Sequence, residues 1–192
     1  MTEQREKKFL SVLYHRQPSL TVVMEDIHDP HNVSAMLRSA DAVGVPEVQL
    51  LYINEEFPKL GKKSSASATK WITRRSFKSV EECYAKLHKE GFQIYATHLG
   101  KKSTSLYELD FTKKAALVFG NEHRGVSDEA AKLADENFQI PMVGMIQSLN
   151  VSVACAVSLY EALRQRVNAG MYDKPSYKKS QLKKLFDEWS RK

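Results

Sequence analysis

The sequence predicts an α/β domain, a mostly parallel sheet flanked by helices, with short helical extensions at both ends. Three observations carry that prediction. Short apolar runs at residues 20–24, 48–53, 92–97, 115–119 and 138–140 read as strands. Stretches with apolar residues at helical spacing lie between several of them. Strands separated by helices make βαβ units, and no internal repeat or low-complexity linker interrupts the alternation.

In chain order, Phe9, Val12, Leu13 and Arg16 trace an amphipathic helix in an N-terminal extension, residues 1–19. The core domain is expected over residues 20–168. After the first strand, Val33, Met36, Leu37 and Ala40 repeat at i, i+3, i+4 and i+7, predicting a helix over residues 32–43. Ser79 and Glu82 form a capping box for a helix carrying Val80, Cys83, Tyr84 and Leu87, and Gly91 stops it. Ser127 caps a short helix running to Ala134. A long helix over residues 150–167 carries Val153, Val157, Tyr160 and Leu163 on its apolar side. In the C-terminal extension, residues 169–192, Leu182, Leu185, Phe186 and Trp189 stripe a basic helix that could pack on the core, on a second subunit or on RNA.

At 192 residues, with 42% hydrophobic and 27% charged, the composition is that of a soluble globular protein. No apolar run approaches the roughly 18–20 residues of a membrane span. Residues 1–8 lack the apolar core of a signal peptide, so the expected compartment is the cytosol. Cys83 and Cys155 form no C-x-x-C pair and read as small buried residues. The net charge is +6, and the excess is clustered. Residues 57–80 hold Lys59, Lys62, Lys63, Lys70, Arg74, Arg75 and Lys78 and no acid, and the C-terminal extension adds Lys183 and Lys184 among others. Such clusters suit a phosphate backbone or merely a solubilising face.

Familiar signatures are absent: no G-x-G-x-x-G after a strand, no Walker loop, no G-x-S-x-G elbow. His28 and His31 lack other spaced ligands, which argues against a metal site. Three polar segments instead follow predicted strands, where open parallel sheets bind ligands. They are residues 25–32 leading to Arg38, residues 119–125, and residues 140–150. Each has a plain structural reading. Asn32 could cap its helix, and Arg38, roughly 150° from the apolar stripe at 100° per residue, could be a solvated charge. Glu122 could accept loop amides, and Ser148 or Asn150 could cap the long helix.

Residues 32–44, 118–125 and 140–154 resemble, in order and spacing, the three motifs of the SpoU/TrmH branch of the SPOUT methyltransferases. The resemblance implies a deep trefoil knot near the C-terminal end of the domain, a rare exception to ordinary chain connection. It implies S-adenosylmethionine (AdoMet) as methyl donor, held at Thr97, Gly120, Ile140 and Leu149, with no metal required. It implies a homodimer with the site at the subunit interface. The implied reaction is 2′-O-methylation of RNA. Arg38 would contact an RNA phosphate and help deprotonate the ribose 2′-hydroxyl, a role needing a special environment because arginine is a poor base. Asn32 would hold Arg38 and the site in place, and Glu122, Ser148 and Asn150 would orient ribose, AdoMet and loop. Short extensions and the basic stretch at residues 59–75 are similar to members that methylate guanosine 18 in the D-loop of tRNA. Lys62, Lys63, Lys70, Arg74, Lys183 and Lys184 would bind the tRNA. The alternatives are another RNA or nucleotide as substrate, or a non-catalytic RNA-binding protein.

Overall fold

A computed structural model describes residues 1–60, 68–100 and 102–192. Its strands are β1 (Leu20–Glu25), β2 (Glu47–Leu51), β3 (Thr73–Phe77), β4 (Gln93–Thr97), β5 (Thr104–Ser105), β6 (Ala115–Phe119) and β7 (Glu136–Gln139). They form one seven-stranded sheet in the order β3-β2-β1-β6-β4-β7-β5, and every pairing is parallel. β1 and β6 sit at the centre and are buried at every residue. Their apolar residues run without a break because both faces of a parallel sheet are covered.

The period of two sorts the central side chains between two layers. Val22, Met24, Leu117 and Phe119 face α2 (Pro30–Ala42) and α6 (Val151–Asn168), meeting Val33, Leu37, Cys155 and Leu159 in one cluster. Val23, Ala116 and Val118 face the other way, toward α4 (Val80–Lys89) and α5 (Asp128–Leu133). The chain builds outward from β1 to β2 and β3, then crosses to β4 on the far side of β6. That reversal creates a crevice at the carboxyl ends of the central strands.

Several elements differ from the sequence expectation. β3, Thr-Arg-Arg-Ser-Phe, lies inside the basic stretch and has no apolar alternation, yet it pairs along all of β2. It is an edge strand, where charge is tolerated and discourages further pairing. α2 begins at Pro30, not at residue 32, because Asp29 caps it by accepting from the His31 amide and Pro30 suits the first turn. α6 buries Cys155, Leu159 and Ala162; of the expected stripe Val157 and Leu163 pack against the core, while Val153 and Tyr160 are exposed. The helix carries apolar residues on two sides, and the expected stripe straddles them.

The extensions pack on each other. α1 (Glu3–Tyr14) and α7 (Lys179–Ser190) join through Phe9, Leu13 and Trp189, with the four-residue helix α3 (Ala68–Trp71) supplying Trp71. The Phe9 ring lies 5.3 Å from Trp71 and 5.6 Å from Trp189. Of the three destinations open to the C-terminal helix, packing within the chain is the one observed. Arg16, just past α1, is buried and donates to the Val45 and Trp71 carbonyls and to Asp41.

A second buried arginine closes the domain. Arg166, in the last turn of α6, donates through Nε to the Phe111 carbonyl (2.9 Å) and through Nη1 to Gln17 and Ser19 side chains. Its Nη2 donates to the carbonyls of Ser19 and Lys113, both at 2.9 Å. Burial pulls this guanidinium down to about 10, since all these partners are neutral oxygens. Removing it strands the Phe111 and Lys113 carbonyls and the Gln17 and Ser19 side-chain oxygens, each costing about 1–3 kcal/mol if left dry, while the Ser19 carbonyl keeps the Ala115 amide. Arg166→Met should therefore lower the unfolding free energy by about 3 kcal/mol or more in urea titration. Arg166→Lys, without the planar fork, should recover less than half of that, and an unchanged urea midpoint in the Met variant would contradict this role.

Candidate functional site

A cavity of about 600 Å³ opens beyond the carboxyl ends of β4, β6 and β7, within the size range of small-molecule sites. Thr97, Gly120, Ile140 and Leu149, the residues expected around a methyl donor, all line it. So do Glu122, Ser148 and Asn150. The buried Phe119, Val126 and Phe138 back its wall, which mixes polar and apolar surface. The Thr97 hydroxyl donates to the Val118 carbonyl, so the end of β4 is tied to β6.

The loop after β6 is forced into a tight return. A Cβ on Gly120 would stand 2.2 Å from the Gly125 carbonyl carbon and oxygen and from the Val126 nitrogen, so only glycine fits there. Gly125 completes the turn at φ +72°. Asn121 stiffens it, accepting from the amides of His123 (2.9 Å) and Arg124 (3.3 Å) and donating to the Asp26 carbonyl. The loop is thereby fastened to the end of β1.

Glu122 reaches from this loop to the start of α2. Its carboxylate accepts from the His28 amide (3.0 Å), the Asp29 amide (3.1 Å) and Asn32 Nδ2 (2.9 Å). Partial burial pushes its carboxyl up, but the hydrogen bond from Asn32 and those from the amides outweigh it and hold the group below the usual range. Asn32 is itself shared: its Oδ1 accepts from Asn150 Nδ2 at 3.1 Å. Asn150 also caps α6, its Oδ1 accepting from the Ser152 and Val153 amides. The capping reading of Asn150 and its part in a bridge therefore both hold, whereas Asn32 caps nothing, since Asp29 does.

Arg38 stands apart. It is exposed on α2, does not line the cavity, and its side chain has no hydrogen bond or ion pair with a described residue. Asn32 bonds to Glu122 and Asn150 of the expected site, and its side chain makes no hydrogen bond to Arg38. Lys70, Arg74, Lys183 and Lys184 are exposed near the α3–β3 edge and on α7. Lys62 and Lys63 lie outside the described residues. Among the described residues no three His, Cys, Asp or Glu side chains gather as a metal site, His28 and His31 included.

Sequence reasoning passed over Asp26. It sits at φ +49°, unusual for a non-glycine residue though least so for Asp and Asn. Its carboxylate accepts from the amides of Ile53, Asn54 and Glu55 and from the Asn54 side chain. It thus organises the chain after β2 beside the cavity loop. The acidic pair Glu25-Asp26 at a strand end was the available signal.

The SpoU rRNA Methylase family matches residues 19–160. A tRNA (guanosine(18)-2′-O)-methyltransferase of Thermus thermophilus is 45% identical over 191 residues, covering 100% of this chain and 98% of that protein. A solved structure, the Aquifex aeolicus TrmH/SpoU tRNA modifying enzyme, superposes with a TM-score of 0.92 at 39% identity, over 98% of this chain and 96% of that one. The SpoU methyltransferase AviRb of Streptomyces viridochromogenes, solved in complex with the cofactor AdoMet, gives 0.71 at 25% identity, over 81% and 62%.

Two outcomes follow from this geometry. Gly120→Ala should cost about 3 kcal/mol or more of stability, because its Cβ meets backbone rather than a movable side chain; a melting temperature equal to wild type would contradict it. Glu122 is held below its unfolded value, so its contribution to stability is present above the ordinary carboxylate range and fades as pH falls through the folded value. The stability gap between wild type and Glu122→Gln, read from denaturant midpoints, should therefore be larger at neutral pH than in acid. A gap independent of pH would show that the charge contributes nothing.

Proposed function

The chain belongs to the SpoU rRNA Methylase family, and from that premise we propose that it methylates the 2′-oxygen of guanosine 18 in tRNA with AdoMet as donor. The observation that carries this reading is the cavity that gathers all four expected donor-site residues with Glu122, Ser148 and Asn150. Likeness to the Thermus enzyme along essentially the whole chain, extensions included, favours tRNA over ribosomal RNA.

The residues present fit AdoMet. The half-buried Ile140 and Leu149 side chains, backed by the buried Phe119 and Phe138, suit an adenosine, and Gly120 lines the same cavity at the tight return. Bound there, AdoMet supplies a methyl group activated by the adjoining sulfonium. The chain's own work is positioning, which lowers a barrier by holding the reactants at attack distance. Glu122 and Asn150, locked through Asn32, fix the polar wall that orients the ribose. Ser148, exposed at the cavity edge, orients the donor and the ribose.

Arg38 contacts an RNA phosphate and assists loss of the 2′-hydroxyl proton. Because it does not line its own chain's cavity, we infer that the Arg38 serving each cavity comes from a second copy. The outward face of α6, with Val153, Tyr160 and Val167, and the exposed Val143, Met145 and Ile146 beside it form the apolar surface for that homodimer. The segment between β6 and α6 is read as the trefoil knot, supported by the tight return at Gly120 and by α6 lying against α2. Residues 20–168 make the catalytic domain, with residues 1–19 and 169–192 as extensions. Lys62, Lys63, Lys70, Arg74, Lys183 and Lys184 hold the tRNA, and a tRNA substrate puts the enzyme in the cytoplasm.

Radiolabelled methyl transfer to unmodified tRNA and to rRNA, followed by mapping of the 2′-O-methyl group, tests this. The mark should fall on guanosine 18, and a product on rRNA alone would overturn the assignment. Arg38→Ala should lower kcat about 100-fold or more while AdoMet affinity stays within about twofold. Undiminished methylation by that variant would remove Arg38 from the chemistry.

A further inference from the structure

Arg124 lies two residues past Glu122 in the loop after β6. Among the described residues that line the cavity it is the one lysine or arginine. Its backbone is pinned by the Asn121 side chain and by the turn at Gly125, while its side chain is 54% exposed. The guanidinium donates to Glu55 at 3.3 Å and faces the Asp26 carboxylate at 3.6 Å.

We propose that Arg124 grips a backbone phosphate flanking the target ribose, and that Asp26 and Glu55 hold it ready until RNA arrives. The proposal rests on the RNA-methylating function given above. A ribose entering this cavity brings the phosphates of its own strand to the cavity rim. Glu122 lines the cavity, and the carboxylates of Asp26 and Glu55 stand within 3.6 Å of the Arg124 guanidinium behind it, a local negative field that repels those phosphates. A permanent cation at the cavity offsets that repulsion, and a guanidinium fork matches phosphate oxygens in two bonds.

The present partners can release it. Exposed ion pairs are weak, and Glu55 keeps a neighbour in His28 at 3.6 Å. Asp26 loses little, because the amides of Ile53, Asn54 and Glu55 already satisfy its carboxylate. Those same bonds keep residues 53–55 in place when the arginine swings away, so gripping RNA does not disturb the loop that Asp26 organises.

The test is tRNA binding by the full-length protein over a salt series, with wild type, Arg124→Ala, Arg124→Lys, Glu55→Gln and the Arg124→Ala/Glu55→Gln double variant. AdoMet affinity is measured in parallel by calorimetry. Arg124→Ala should weaken tRNA binding about tenfold at low salt and reduce the slope of log affinity against log salt by about 0.7–1. Arg124→Lys should restore the slope but not the full affinity. Glu55→Gln, which frees the arginine, should tighten binding about two- to fivefold, and that gain should vanish in the double variant. An unchanged slope, or a gain that survives without Arg124, overturns the proposal. So does a loss that appears in AdoMet affinity, since the cation would then serve the methionine carboxylate. Wild-type protein that methylates no tRNA would overturn the substrate assignment itself, which separates the two failures.

Discussion

The side-chain amide of Asn32 is the constraint on which the cavity depends. It has one donor end and one acceptor end, and both are used: Nδ2 toward Glu122 and Oδ1 toward Asn150. The three residues come from the start of α2, the loop after β6 and the start of α6. An amide carries its donor and its acceptor on separate atoms, so it can donate on one side and accept on the other. Aspartate in its place would set two carboxylates against each other, and leucine would leave Glu122 and Asn150 partly unpaired. The sheet delivers three strand ends to one crevice, and this amide sets how far apart the loops above it stand.

Beneath the loops, the fold relies on two buried arginines used in different ways. Arg16 fastens the N-terminal extension to the core through one carboxylate and two carbonyls. Arg166 uses neutral oxygens alone and gathers the start of β1, the segment before β6 and the end of α6. A guanidinium suits both places because it stays charged where a lysine would be driven neutral. The cavity lies at the carboxyl ends of the strands, and Arg166 ties residues at their amino ends. Activity at one end and cohesion at the other are separated by the length of the strands.

The layers were legible in the sequence wherever burial and period agreed. β1, β6 and the inward face of α2 show this, because each residue there answers to one neighbour only, the core. β3 was illegible because an edge strand needs no apolar alternation, and its Arg75 is spent on Glu47 and Glu90. α6 was found, but only Val157 and Leu163 of its expected stripe turn to the core, since it has apolar residues on both sides and periodicity cannot rank them. The three polar loops were found from strand ends and motif order. What joins them was not, because Asn32 and Glu122 lie 90 residues apart and a bond across that separation leaves no local pattern. The same holds for Asp26, whose left-handed backbone marks a role that no spacing announces.

Arg166 has a consequence for how the chain is made. Ser19 emerges from the ribosome early, yet its carbonyl and hydroxyl wait for a guanidinium 147 residues later. The central strand β1 likewise waits for β6 as its second neighbour. Contacts of such separation close slowly and leave apolar strands uncovered in the meantime. The core therefore matures only once α6 has been synthesised, and a nascent chain stalled before it would be a natural client for chaperones.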